Sequence, residues 1–343
     1  MFNLKIYFIA TIVAVSVFTI VGAGACRKSP PEDLVNSETV GTSRSGKPSA
    51  ITYVFAGEWG KSGGGEGEFN HPYALDVAAD GTVYVADLLD CRLQYFTPAG
   101  SFLGKWGTKG KGPGRFADPI GIAVGPDGKV YVADRSNHRV QYFTPNGSFV
   151  GEWGGEGSGL GQFDVPVDVA VSREGRVYVA DADNWRIQYF TSSGSYLGEW
   201  GGEEQFDFSH DDVCNLRLPL AVAVAPKGDV YTLEMGMSIV KRFDESGSFL
   251  GSWGKEGTGN GEFAGPAGLA VGPTGDVFVA DPDRLQRFTA EGSFLNAWGS
   301  SGSRPGKFEF PSGVAVAPDG TVYVADTLNY RIQYFRPVAA EDK

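Results

Sequence analysis

Trp59, Trp106, Trp153, Trp200, Trp253 and Trp298 each stand directly before a glycine, at successive spacings of 47, 47, 47, 53 and 45 residues. Self-similarity at such a period requires an array of small units, because one unit of that size cannot bury its own apolar face and must stack on its neighbours. The unit from 119 to 154 carries four strand signals, at 121–124, 129–133, 139–143 and 148–153, divided by turn chemistry. Asp80-Gly81, Asp127-Gly128 and Asp319-Gly320 mark a tight hairpin between the first two strands, where glycine supplies a positive φ. With 50 glycines and 19 prolines in 343 residues, the composition fits many short strands and sets the class as all-β. The last unit stops at Tyr334 and Phe335 after its third strand, whereas residues 53–59 stand alone at the start as an outer strand. Pairing the two halves closes the ring and removes free sheet edges.

The units share Gly-x-Phe, then Pro, then Gly-Ile-Ala-Val, Val-Tyr-Val-Ala-Asp and Asn-x-Arg-Ile-Gln-x-Phe. Asp134, Asn137, Arg139 and Gln141 carry the pattern in one unit, and Asp181, Asn184, Arg186, Ile187 and Gln188 in the next. This pattern closely resembles the NHL repeat over residues 52–337. The resemblance implies a six-bladed β-propeller with four antiparallel strands per blade, occupying 51–337 and followed by a disordered tail at 338–343.

Before the repeats, Lys5 precedes an apolar run from Ile6 to Val21 and then Gly22-Ala23-Gly24-Ala25-Cys26. That is the layout of an export signal over residues 1–25. It also resembles a bacterial lipoprotein signal, which implies lipidation of Cys26. Ordinary cleavage after the small residues and an uncleaved anchor are the competing readings. Residues 26–50 are polar and rich in Ser and Pro, and read as a flexible tether of about 25 to 30 Å. The expected location is the cell envelope, with the domain held at the membrane by its N-terminal lipid or signal anchor. A net charge of -12 without a basic cluster argues against nucleic acid as a partner.

Residues that recur in every blade serve what every blade needs. Asp87, Asp134, Asp181, Asp281 and Asp326 close the second strand, and Arg92, Arg139, Arg186, Arg284 and Arg331 open the third, as expected of capped or ion-paired turns. The fourth unit departs from the rule. Glu234 replaces the aspartate, Ile239 replaces the arginine, and the segment 201–219 holds 19 residues against 13 in 154–166. The longer segment contains His210, Asp211, Asp212, Cys214 and Arg217. Trp185 is the one tryptophan outside the blade-closing series, at a position that reads Cys91, His138, Trp185 and Tyr330 across four units. Asp168 and Asp76 replace small residues of the inner strand and should lie near the central channel, bonded there to backbone or water.

These features point to a binding module for a protein, peptide or glycan. The candidate ligand-binding residues are Trp185, Arg217, Asp211, Asp212, His210, Glu234, Met235, Met237 and Asp168, and no catalytic residue or cofactor is assigned. The alternative is a metal-dependent lyase or hydrolase, similar to the peptidyl-hydroxyglycine amidating lyases, with a metal ion near Asp168 and the histidines His71, His138 and His210. That resemblance implies zinc-binding histidines directly after the inner-strand proline. Here those places hold Tyr73, Ile120, Val167, Leu220, Ala267 and Ser312. No Gly-x-Ser-x-Gly, phosphate-loop or His-Glu-x-x-His pattern supports another enzyme class.

Overall fold

The computed structural model describes residues 51–202 and 216–339, which form six four-stranded antiparallel sheets arranged as the blades of a propeller. Blade two shows the plan: inner strand Pro119–Val124, second strand Val130–Asp134, third strand Arg139–Phe143 and outer strand Phe149–Gly154. The strands begin or end a residue or two from the places expected of the sequence, because the proline and the aspartate at the blade top pair with each other. The second strand is buried on both faces in every blade, whether it reads Val-Tyr-Val-Ala-Asp or, in blades four and five, Val-Tyr-Thr-Leu-Glu and Val-Phe-Val-Ala-Asp, so it packs against both neighbouring blades rather than against one.

Neighbouring blades are locked by a repeated joint. Each of five blade-closing tryptophans lies under a positive-φ glycine of the next blade, as Trp59 does under Gly100, where an added Cβ would sit 2.6 Å from the indole. Lower on the same interface, the second-strand tyrosine donates its hydroxyl to a carbonyl of the next blade, as Tyr131 does to Ser192 at 2.9 Å. Blade five carries Phe278 instead and cannot make that bond. There the N-terminal strand compensates: Tyr53 stacks on Trp298 at 4.7 Å and meets Phe278 edge-on.

That strand, Ile51–Trp59, pairs along Arg331–Ala339 and completes blade six, as the isolated outer-strand signal predicts. The third strand of this blade runs on to Ala339, so residues 338 and 339 belong to the sheet and not to a disordered tail. The cause is local: Ile51 and Thr52 extend the partner strand and pair with Ala339 and Val338. Residues 1–50 and 340–343 lie outside the described residues. Among the described residues, no helix is long and apolar enough to cross a membrane.

Two faces follow from the strand directions. The loops leading into the inner strands and the turns between second and third strands share the upper face. The lower face carries the two sets of hairpins.

Candidate functional site

The upper face is organised by one device repeated in five blades. In blade two, the fully buried carboxylate of Asp134 accepts the Ala117 N–H at 2.8 Å and the Arg139 Nε–H at 3.0 Å. The Arg139 guanidinium also donates to the carbonyls of Lys111, Gly112 and Arg115. Buried Gln141 accepts from Gly114 and donates to Arg115. Asp, Arg and Gln thus fasten the glycine-rich lead-in loop to the blade, and they do it by satisfying backbone groups that would otherwise be buried unpaired. The aspartate–arginine pairs recur at 2.8 to 3.2 Å in blades one, three, five and six. The expectation of ion-paired turns is met, with the loop carbonyls as a further partner. Replacing Arg139 by alanine should leave Asp134 buried without its cation, cost about 3 to 5 kcal/mol, and raise amide exchange across 110–116. Unchanged exchange there would show that the loop holds itself.

Blade four replaces all three residues of the device and keeps the bond from the acid to the lead-in backbone. Ile239 stands at the arginine position and Lys241 at the glutamine position, opposite Thr232 and beside Glu234 on one sheet face. Glu234 is fully buried, accepts the Arg217 N–H at 3.1 Å and pairs with Lys241 at 3.2 Å. Burial raises its carboxyl above the usual range, against the pull of Lys241. Glu234, a ligand-binding candidate by sequence, is therefore not exposed to a ligand. It holds the register of the scaffold aspartate, one methylene longer, and belongs to the interior.

The other candidates separate into three groups. Met235 is 37% exposed at the blade-four turn, and Met237, Arg217 and Trp185 are half-buried on the same face. Gly202 donates to the Trp185 carbonyl at 3.0 Å, and Met235 donates to that of Leu218, next to Arg217. His210, Asp211, Asp212 and Cys214 lie outside the described residues. Asp168 sits apart, in the channel. The varying series of Cys91, His138, Trp185 and Tyr330, joined by Ser238, has a backbone cause as well: all five residues adopt a left-handed conformation, with φ between 50 and 57°.

The channel runs between the six inner strands with a cavity volume of about 330 Å³. Its walls are apolar except for Tyr73, Asp76, Asp168, Arg173 and Ser312. Asp168 accepts the Val222 N–H of the next blade at 2.9 Å, and Asp76 accepts that of Val124 at 2.7 Å. Both carboxylates therefore tie their blade to the following one, as the expected bond to backbone requires. Burial pushes Asp168 up to about 7, with the charge of Asp76 adding to it, and Asp76 itself up to about 6. Sequence reasoning missed Arg135, a buried cation that pairs with Asp118 at 3.2 Å and acts on Tyr73 at the channel end. The signal was present: it is the one charge in the series Leu88, Arg135, Ala182, Met235, Pro282 and Thr327.

The family model for the NHL repeat matches residues 116–143, 163–190 and 308–335. This chain carries NHL repeats. The three matched NHL units belong to blades two, three and six, where Asn137, Asn184 and Asn329 each bond the scaffold aspartate and a loop glycine carbonyl. Blades one, four and five lack that asparagine, having Asp90, Met237 and a shortened turn. No curated protein matches the chain in sequence. Among solved structures, the NHL propeller is similar to hydrazine synthase from Kuenenia stuttgartiensis, at 13% identity, TM-score 0.57, over 80% of this chain and 98% of that one. It is also similar to a gluconolactonase from Xanthomonas campestris, at 11% identity, TM-score 0.58, over 80% and 88%. A third is virginiamycin B lyase from Staphylococcus aureus, at 14% identity, TM-score 0.54, over 78% and 95%. At these identities the likeness is one of fold.

The zinc site implied by the amidating-lyase resemblance does not fit this NHL propeller. The positions that would supply it, Tyr73, Ile120, Val167, Leu220, Ala267 and Ser312, line the channel and bring no imidazole or thiolate. His71 lies edge-on to Tyr330 at 5.3 Å, and His138 stands 3.7 Å from Asp164. Among the described residues, no three of His, Cys, Asp or Glu converge on a point that could hold a metal ion.

Proposed function

We propose that this chain is an exported, membrane-tethered NHL propeller that binds a protein, peptide or glycan partner through its upper face at blades three and four. The observation that carries the reading is that all three residues of the fastening set are replaced together in blade four alone. Here the arginine, the glutamine and the aspartate are all replaced, and a buried Glu234–Lys241 pair, which is a poor source of stability, stands in their place. The longer lead-in segment, 19 residues against 13, belongs to the same blade. Met235, Met237 and Trp185 supply adaptable and aromatic contact of the sort that concentrates binding energy, and Arg217, Asp211, Asp212 and His210 supply polar selectivity. Export rests on the apolar run before Cys26 and on the polar tether behind it.

A photoreactive residue placed at Trp185 or Met235 in intact cells should give a discrete covalent adduct, and the same residue at Lys227 on the lower face should give none. Adducts from Lys227 alone would place recognition on the wrong side of the disc. Alanine at Trp185 together with serine at Met235 should remove partner capture while shifting the melting temperature by no more than a few degrees.

A further inference from the structure

The fold also distributes exposed apolar surface unevenly. Every outer strand bends at a bulge near its lower end, and in five blades the bulged residue is a large aliphatic one: Leu103, Val150, Leu197, Leu250 and Leu295, between 42 and 49% exposed. In blade six the paired strands run four residues past Phe335, further down than the third strand of any other blade. That ribbon exposes Val54, Phe55 and Val338. Leu103 and Leu295 flank it on the neighbouring blades.

The chain enters the propeller through the same ribbon. Ile51 is its lowest residue, paired with Ala339, and the fifty residues before it include the apolar run and Cys26. Residues 26–50, as a tether, hold the lower rim on average about 25 to 30 Å from an anchored residue 26, where a few apolar side chains suffice because the second contact is intramolecular. Two cations of the lower half are matched within their own blade, Lys129 by Asp127 and Arg242 by Asp229, both at 2.6 Å.

We propose that the blade-six ribbon and the adjacent lower rim rest on the lipid surface, so that the upper face, with Trp185 and Met235, points away from the membrane. The inference rests on the reading that the N-terminal segment anchors the chain, and the test separates the two. The full chain, carrying Cys214→Ser and a single fluorophore at Thr52→Cys or at Lys111→Cys, is reconstituted into phosphatidylcholine vesicles containing a nitroxide-labelled lipid. Flotation with the vesicles reports the anchor. Quenching reports the orientation, and should be severalfold stronger at Thr52 on the ribbon than at Lys111 on the upper face. The difference should persist between about 0.05 and about 0.5 M salt and fall when Val54, Phe55 and Val338 are changed together to serine. Flotation with equal quenching at both labels overturns the orientation alone. Failure to float overturns the anchor and the orientation with it. Quenching that disappears while sedimentation shows a dimer assigns the patch to a second copy of the chain and overturns the lipid contact.

Discussion

A chain that begins at Gly60 should fail to fold cooperatively and should aggregate, whereas a permuted chain in which Ala339 is joined to Ile51 by a two-residue turn should fold as the parent does. The short deletion removes the whole outer strand of blade six, with the Tyr53 stack on Trp298 and the Arg287 and Asn296 bonds to the Ile51 carbonyl. Blade five has no tyrosine hydroxyl to replace them. The open ring would expose the apolar flank of blade five and the bare edge of Arg331–Ala339, which is a template for pairing with another chain. The loss is expected to exceed most of the margin of about 5 to 15 kcal/mol that folded domains have. The permutant restores every contact without the original connectivity, and Ile51 and Ala339 already face each other across the ribbon. Size-exclusion profiles and thermal melts of both chains decide the matter. A monomeric deletion chain melting within a few degrees of the parent would show that the ring is held elsewhere.

Asp168→Asn should stabilise the propeller at neutral and alkaline pH. Burial holds the folded carboxyl at about 7, well above its ordinary value of 3.8, so between those values the folded state binds more protons than the unfolded one. Stability from this group is therefore full below pH 4, falls as pH rises through the window, and is lost above about 7. An amide keeps an oxygen for the Val222 N–H and carries no charge. A tenfold difference in proton affinity between the folded and unfolded chains corresponds to about 1.4 kcal/mol, so the gain at pH 8 should reach about 2 to 4 kcal/mol and vanish near pH 4. Asp76→Asn should act in the same direction and more weakly, since Asp76 is pushed up only to about 6. Denaturant melts of parent and variants from pH 4 to 8 test the sign. A variant that is less stable at pH 8 would mean that the charged carboxylate holds the blades together.

The parts of this structure legible in the sequence are those that repeat. Blade number, the closing strand and the aspartate–arginine pairs follow from comparing six copies within one chain. What the sequence hides is the target of a side chain when that target is backbone. Arg139 and Gln141 fasten carbonyls and amides of the lead-in loop, which any residue could present, so spacing announces the pair but not its purpose. Glu234 shows the opposite difficulty. Its replacement of aspartate is visible, but only the strand register shows that it remains buried. Asp168 and Asp76 stand out as intruders among small residues, yet their reach to the next blade depends on the angle between blades. Arg135 is masked for another reason, because the position it occupies holds a residue of a different type in every blade.

The proposal that the altered blade four serves recognition is tested most directly by giving it the fastening set of the other blades: 201–219 is replaced by the sequence of 154–166, with Thr232→Val, Glu234→Asp, Ile239→Arg and Lys241→Gln. The restored propeller should fold with an equal or higher melting temperature, having a complete fastening set in six blades, and should give no photoadduct from Trp185 or Met235 in intact cells. Adducts that persist at parental yield from a folded, restored propeller would mean that the irregular blade is not what the partner reads.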